Sequence, residues 1–128
     1  MSLDLTMPVL VVDDYRTMAR IMRMLLQKVG FQHVDESTDG ADALAKMKER
    51  KYGLVISDWN MAPTTGYELL QQAKADEGLR ETPFLMVSAD LDPENVVAAR
   101  KAGASGYVVK PFDAQILKAR IESLFRAA

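Results

Sequence analysis

Five polar side chains stand directly after short apolar runs, at the points where predicted strands end. They are Asp13 and Asp14 after Val9–Val12, Asp58 after Leu54–Ser57, Ser88 after Phe84–Val87, and Lys110 after Tyr107–Val109. In open α/β sheets, ligands bind outside the carboxyl ends of the strands, so we expect these groups to converge. Carboxylates that close together repel one another and need a cation between them, and a hard divalent ion such as Mg²⁺ suits oxygen ligands. An amine beside such a site suits an anion, which indicates phosphate chemistry.

Each of these residues, taken alone, also fits a structural role. Paired aspartates after a strand are typical of turns and helix caps, and Asp58 alone fits a turn as well. Ser88 and Lys110 alone would be read as surface residues. Their joint placement favours a site, because a fold has no structural reason to gather three acids at one edge of a sheet.

The elements that must position these side chains alternate along the chain. Runs that are apolar at every position suit a parallel sheet covered on both faces, and they alternate with segments of helical period. The predicted strands are Val9–Val12, His33–Ser37, Leu54–Ser57, Phe84–Val87 and Tyr107–Val109. The pattern predicts an α/β fold with a five-stranded parallel sheet, doubly wound with five helices. We expect the strand order 2-1-3-4-5, already known from flavodoxin-like folds.

Capping residues mark the ends of the predicted helices. Gly30 closes the first helix, whose apolar positions are spaced three and four residues apart. Asp39 and Asp113 can cap helices, and Asp92 precedes a proline in the first turn of another. The apolar positions of the first helix are Met18, Ile21, Met22, Leu25, Leu26 and Val29.

The composition excludes several classes of protein. The 128 residues contain no cysteine, which rules out disulfides, thiolate metal sites and a cysteine nucleophile. A net charge of −2 provides no basic field for nucleic acid. No run approaches the ~20 apolar residues of a membrane span, and residues 1–7 do not fit a secretory signal. We therefore expect one cytoplasmic domain over residues 1–128, without nucleic acid partners or membrane insertion.

Several segments together resemble the receiver domains of two-component response regulators. They are Val-Val-Asp13-Asp14, Ser57-Asp58-Trp59-Asn60-Met61, Ser88-Ala89 and Gly106-Tyr107-Val108-Val109-Lys110-Pro111-Phe112. The stretches Tyr15 to Phe31, Asp58 to Met61 and Lys101 to Phe112 look especially like chemotaxis regulators of the CheY type. The resemblance covers almost the whole chain.

The resemblance implies a phosphoryl acceptor and a metal site. Asp58 would accept a phosphoryl group from a histidine kinase of the chemotaxis type, and Lys110 would contact that group. Mg²⁺, for which Mn²⁺ could substitute, would be the cofactor. Its ligands would be the side chains of Asp14 and Asp58, the backbone carbonyl of Asn60 and, through water, Asp13. The Lys110–Pro111 bond would be cis.

The resemblance also implies an output surface. Ser88 would hydrogen-bond the phosphoryl group, and Tyr107 would change position on activation. The partner-binding face would include Ala99, Val109 and Arg120. The expected partner is the flagellar motor switch protein, a phosphatase is a further candidate, and the protein is expected to be a monomer.

Three other functions compete with a motor-binding regulator. An aspartyl-phosphate phosphatase usually needs a second acid two residues after the nucleophile, where Asn60 stands. A flavodoxin-like cofactor binder is disfavoured because two carboxylates after the first strand would repel a phosphate. A phosphorelay shuttle or phosphate sink shares the same chemistry and stays open. In all receiver readings the chain is a signalling domain rather than an enzyme, and Asn60 and Asp90 would tune its own dephosphorylation.

One loop departs from the usual receiver pattern. Receivers commonly carry proline immediately after the position of Met61, whereas here Ala62 precedes Pro63. Thr65 stands before Gly66, where an acid or amide is common. The distance from the acceptor to Gly66 is the family's, so we expect the acceptor to be retained while the backbone of this loop differs.

Overall fold

The computed structural model describes residues 3–89 and 92–126. Strands and helices alternate as predicted. The strands are β1 (Val9–Val12), β2 (Val34–Ser37), β3 (Leu54–Asp58), β4 (Phe84–Ser88) and β5 (Gly106–Val109). The helices are α1 (Arg16–Val29), α2 (Gly40–Glu49), α3 (Gly66–Ala75), α4 (Pro93–Lys101) and α5 (Ala114–Arg126). The predicted strands differ from these only at their ends, by one residue.

The sheet has the predicted order β2-β1-β3-β4-β5, and every pair of neighbouring strands is parallel. Val12 lies opposite Ser57 of β3, and Asp58 lies opposite Val87 of β4. Ser88, at the end of β4, lies opposite Val109. This register brings the carboxyl ends of the four strands β1, β3, β4 and β5 to one edge of the sheet.

Two apolar layers cover the two faces of the sheet. As a result, β1, β3 and β4 are buried along their whole length. One layer contains α2 and α3 and includes Leu69 and Phe84. The other contains α1 and α5 and includes Leu26 and Ile121. Parallel strands with no solvated face need such a cover on both sides, as the unbroken apolar runs predicted.

The inner face of α1 is made by Ala19, Met22 and Leu26. Ile21, one of the apolar positions of this helix, does not share this face, since it is 42% exposed. Each helical residue is rotated by about 100° from the one before it, so Ile21 lies at the edge of the buried face that Met22 belongs to.

The predicted caps are present. Gly30 ends α1 with φ 124°, a conformation that favours glycine. Asp39 accepts a hydrogen bond from the Asp42 N–H at 2.6 Å, and Asp92 caps α4 ahead of Pro93. Asp113 accepts from the Ile116 N–H at 2.8 Å. Among the described residues, no helix is both long enough and apolar enough to cross a membrane.

Candidate phosphoryl-acceptor and metal site

Three carboxylates meet at the carboxyl edge of the sheet. Asp13, Asp14 and Asp58 each offer an oxygen, and these oxygens lie within 4.8 Å of one another. Asp13 is 2% exposed and Asp58 is 6% exposed, whereas Asp14 is open to solvent. An all-oxygen set of this kind with one open side fits Mg²⁺, which binds through one or two carboxylates and keeps several waters.

Lys110 contacts two of the three carboxylates of this cluster. Its Nζ lies 3.1 Å from Oδ1 of Asp58 and 3.4 Å from Oδ2 of Asp13. The lysine comes from the end of β5 and is itself held in place, since its N–H donates to the carbonyl oxygen of Ser88 at 2.8 Å. The predicted acceptor therefore has both a cation and two further carboxylates as close neighbours, and the cation contacts one of those carboxylates as well.

The electrostatics of the site are those of a crowded acidic cluster. Burial raises the pKa of the Asp58 carboxyl above its usual range, the hydrogen bond from Lys110 opposes this, and the charges of Asp13 and Asp14 add to it. Burial alone would lower the pKa of Lys110, but the hydrogen bond and charge of Asp58, together with Asp13, raise it overall. The Lys110 ammonium is therefore kept charged, whereas the ionised form of the Asp58 carboxyl is disfavoured by its surroundings.

The backbone after the acceptor is tied to α3. The Trp59 N–H donates to the carbonyl oxygen of Val87 at 2.8 Å, and the Gly66 N–H donates to the carbonyl oxygen of Trp59 at 2.9 Å. Residues 58 and 59 are therefore fixed from both sides. Asn60 follows at the exposed start of the loop, so its carbonyl group is next to the acidic cluster in the chain.

The loop of residues 62–65, which departs from the usual receiver pattern, makes contacts that its residue types explain. Thr65 caps α3: its Oγ1 accepts from the Glu68 N–H at 3.1 Å, and the Glu68 side chain accepts from the Thr65 N–H at 3.0 Å. Such a capping box has a recognisable spacing, Thr-x-x-Glu, which the sequence carries at Thr65 and Glu68 and which was not among the predicted caps. The Ala62 N–H donates to Oδ2 of Asp14 at 3.4 Å. A proline at position 62 would have no N–H for this contact.

Two peptide bonds in the region are cis. They are Lys110–Pro111, as predicted, and Ala62–Pro63, which was not predicted.

The predicted output residues lie on one side of the site, although not all of them are exposed. Ser88 is 2% exposed, and Tyr107 is half-buried. Val109 is half-buried at the end of β5, and Arg120 is exposed on α5. The assignment of Ala99 to the partner face needs correction, because it is 1% exposed and packs in the core.

Ala99 instead lines a cavity of about 60 Å³ beside Tyr107. Because successive residues of α4 point in different directions, Ala99 turns inward while Val97, at 51% exposure, faces solvent. Asp90, the predicted partner of Asn60 in dephosphorylation, lies outside the described residues.

An aromatic contact that the sequence did not predict adjoins the acceptor. The Trp59 ring stacks on Tyr67 with centroids 5.1 Å apart and an interplanar angle of 26°. On another side, Trp59 meets Tyr107 with centroids 6.2 Å apart and an angle of 56°. Tyr67 follows Trp59 by only eight residues, but the two lie in different elements, and Tyr107 is on β5; no spacing rule pairs these rings.

Comparison with known proteins agrees with this geometry. Residues 9–122 match the family model described as the response regulator receiver domain. The chain is similar to chemotaxis protein CheY of Pseudomonas aeruginosa, with 44% identity over 119 residues, which cover 93% of this chain and 96% of that protein. It is also similar to chemotaxis protein CheY-3 of Vibrio cholerae serotype O1, with 41% identity over 123 residues, covering 96% of this chain and 95% of that one.

Solved structures show the same architecture. The chemotaxis response regulator CheY4 of Vibrio cholerae matches with a TM-score of 0.85 and 31% identity, covering 93% of this chain and 98% of that one. The BeF3-activated DrrB receiver domain matches with a TM-score of 0.81 and 28% identity, over 94% of this chain and 98% of that one.

Proposed function

Because the chain belongs to the response regulator receiver domain family, we propose that it is a chemotaxis response regulator that accepts a phosphoryl group on Asp58. One observation carries the proposal: the Asp58 carboxylate lies 3.1 Å from Nζ of Lys110 and clusters with the carboxylates of Asp13 and Asp14, whose oxygens lie within 4.8 Å of one another and of Asp58. The similarity to two chemotaxis proteins over more than nine-tenths of the chain supports the biological setting. In this role residues 1–128 act as a single signalling domain rather than as an enzyme.

The chemistry is an in-line transfer to a carboxylate. An oxygen of Asp58 attacks the phosphorus of a phosphohistidine on the kinase, the phosphorus–nitrogen bond breaks, and the imidazole of the donor leaves. Lys110 stabilises the negative charge of the transferred group from a half-buried position, where a fixed charge acts more strongly than in open water.

A divalent cation would bind to the carboxylate cluster. Asp14, Asp58 and the carbonyl group of Asn60 would hold it directly, and Asp13 would hold it through water. Mg²⁺ bound there, or Mn²⁺ in its place, offsets the charge shared by the acceptor and the phosphoryl oxygens. The grouping of three carboxylates supports this assignment, because like charges packed together repel one another and a cation among them offsets that repulsion.

The acyl phosphate is labile, and the protein would assist its own reset. Asn60 is exposed beside the site and can hydrogen-bond an approaching water. Asp90 stands two residues after Ser88 and is proposed for the same role. A polar pair of this kind favours a short-lived signal.

The output would run from Ser88 to the surface of α4, β5 and α5. Phosphorylation adds a charge of roughly −1.5 to −2 and new acceptor oxygens at one point. Ser88 would turn to meet those oxygens, and Tyr107 would move into the space behind it, biasing the face around Val109 and Arg120. The proposed partners are a chemotaxis histidine kinase and the flagellar motor switch protein, with the regulator acting as a cytoplasmic monomer.

Phosphorylation of the purified protein tests the proposal. Acetyl phosphate with Mg²⁺ should add the mass of one phosphoryl group, read by intact mass spectrometry, and Asp58→Asn should abolish the gain. Asp76→Asn, at the far end of α3, is the matched control and should be phosphorylated like the wild type. A mass gain that persists in Asp58→Asn would place the acceptor elsewhere.

A further inference from the structure

The three rings of Tyr67, Trp59 and Tyr107 form a continuous row beside the acceptor. Trp59 is the middle ring: it stacks on Tyr67 at 5.1 Å and meets Tyr107 at 6.2 Å. Both distances fall in the range of favourable aromatic pairs, and the tilted contact is a preferred geometry. Trp59 also follows Asp58 directly in the chain, so the middle ring of the row adjoins the site and Tyr107, at one end, lies on the output side.

Hydrogen bonds on both sides fix the backbone of Trp59, so only the orientation of its ring depends on side-chain contacts. The Trp59 N–H is bonded to Val87 and its carbonyl group to the N–H of Gly66. Tyr67 is the next residue after Gly66 and lies in the first turn of α3, which the Thr65 capping box holds in place. The backbone of Tyr67 is therefore held close to Trp59, and the two rings stack there.

The Tyr107 ring in turn contacts the Trp59 ring. Tyr107 is half-buried, and together with Ala99 it lines a cavity of about 60 Å³. The position of a half-buried ring is stabilised by the neighbours that it contacts. Here one of those neighbours is Trp59, whose own position depends on Tyr67.

We propose that Tyr67 is a positioning residue that stabilises, through Trp59, the half-buried place of the Tyr107 ring. The proposal rests on the proposed function only in its consequence, namely that Tyr67 sets how readily the output face responds to phosphorylation. The position of the Tyr107 ring itself does not depend on that function. Loss of the Tyr67 stack should shift the ratio of half-buried to exposed Tyr107 by between about twofold and tenfold, the range expected for one aromatic pair.

The variants separate this role from ordinary packing. Tyr67→Leu removes the ring and keeps an apolar side chain, and Tyr67→Met is a second variant should the leucine protein fold poorly. Tyr67→Phe keeps the ring and should behave like the wild type. Tyr15→Leu is the control, because Tyr15 is 63% exposed and lies outside the aromatic row.

Fluorine NMR of protein labelled with 3-fluorotyrosine provides the measurement. The sequence has four tyrosines, and Tyr107→Phe assigns the resonance of Tyr107. In protein without a phosphoryl mimic, Tyr67→Leu should move the Tyr107 resonance toward a solvent-exposed value and increase its solvent isotope shift. Emission from Trp59, the only tryptophan of the sequence, should become more accessible to acrylamide in the same variant.

The outcomes decide the proposal separately from the function. An unchanged Tyr107 resonance in folded Tyr67→Leu overturns it, and so does a Tyr67→Phe protein that behaves like Tyr67→Leu. Beryllofluoride added in a second arm should move the Tyr107 resonance of the wild type. If beryllofluoride moved no resonance, the proposed function would fail, while the measurement without it would still decide the role of Tyr67.

Discussion

Gly66 lies against the backbone of Asp58 so closely that a Cβ atom on Gly66 would overlap the carbonyl oxygen of Asp58. The same glycine donates its N–H to the carbonyl oxygen of Trp59 at 2.9 Å. The start of α3 therefore packs directly against β3, the strand that carries the predicted acceptor. A side chain at position 66 would separate the two, and the neighbouring atoms are backbone, which cannot move aside cheaply.

Gly66→Ala should therefore destabilise the protein at the upper end of the about 1–3 kcal/mol typical of overpacking, or beyond it. Urea denaturation followed by the emission of Trp59 measures the free energy of unfolding. Gly78→Ala is the matched control, because its Cβ would meet only Oδ1 of Asp76, at 3.4 Å. Equal stability of the two variants would show that the close approach is not required.

Asp58→Asn should stabilise the metal-free protein at neutral pH. The pKa of Asp58 is raised in the folded state, chiefly by burial, so its ionised form opposes folding. That penalty is complete above the folded pKa and absent below the unfolded pKa, about 3.9. The stability advantage of the variant should thus be present at pH 7 and vanish near about pH 3. A wild type that is more stable than the variant at pH 7 without metal would contradict this sign.

Magnesium should reverse the comparison at neutral pH. A ligand that binds only the folded state, present at 100 times its Kd, adds about 2.7 kcal/mol to the stability. The wild type should gain this on addition of Mg²⁺, while Asp58→Asn gains less, because it has lost one of the predicted ligands. Thermal melting with Mg²⁺ and with EDTA provides the measurement, and an equal gain in both proteins would place the metal elsewhere.

Asp14→Ala should weaken Mg²⁺ or Mn²⁺ binding more than Asp13→Ala does, because Asp14 is predicted as a direct ligand and Asp13 as a ligand through water. Trp59 stands next to Asp58 and is the only tryptophan of the sequence, so its emission should report the titration. Asp76→Asn is the control and should bind like the wild type. Undiminished affinity of Asp14→Ala would show that Asp14 is not a ligand.

Ser88→Ala and Tyr107→Ala should uncouple the acceptor from its partner. Coupling between two sites is typically worth about 1–3 kcal/mol, so wild-type affinity for a motor-switch segment should rise roughly 5–150-fold with beryllofluoride. Both variants should bind beryllofluoride and lose much of that rise, whereas Lys48→Ala, exposed on α2, should keep it. Equal rises in all proteins would refute the Ser88–Tyr107 route. No rise in the wild type would favour a phosphate sink or relay instead.

Much of the fold was predictable because its determinants are local. The unbroken apolar run Val9–Val12 predicts a strand buried on both faces, and Asp39, Asp92 and Gly30 mark helix ends through hydrogen bonds within a few residues. Once strands and helices alternate, the parallel sheet brings the carboxyl ends of its strands to one edge. For this reason Asp13, Asp58 and Lys110 could be expected to meet before any coordinates were known.

Other features depend on how elements far apart in the chain pack. The burial of Ala99 and the exposure of Ile21 follow from the rotation of α4 and α1 about their own axes, which apolar spacing defines only within about one residue. The bond from the Ala62 N–H to Asp14 needs the loop after β3 to lie over the loop after β1.

The amino-acid sequence by itself determined which residues end the strands and therefore which charges share the site. Only the tertiary structure decided the depth and contacts of those residues. Asp13 is buried and Asp14 is open although they are neighbours in the chain, and Tyr67 stacks on Trp59 because a glycine brings α3 against β3. The reason is physical: periodicity and capping act over one or two turns of chain, whereas burial and ring contacts are set by close packing among all the elements at once.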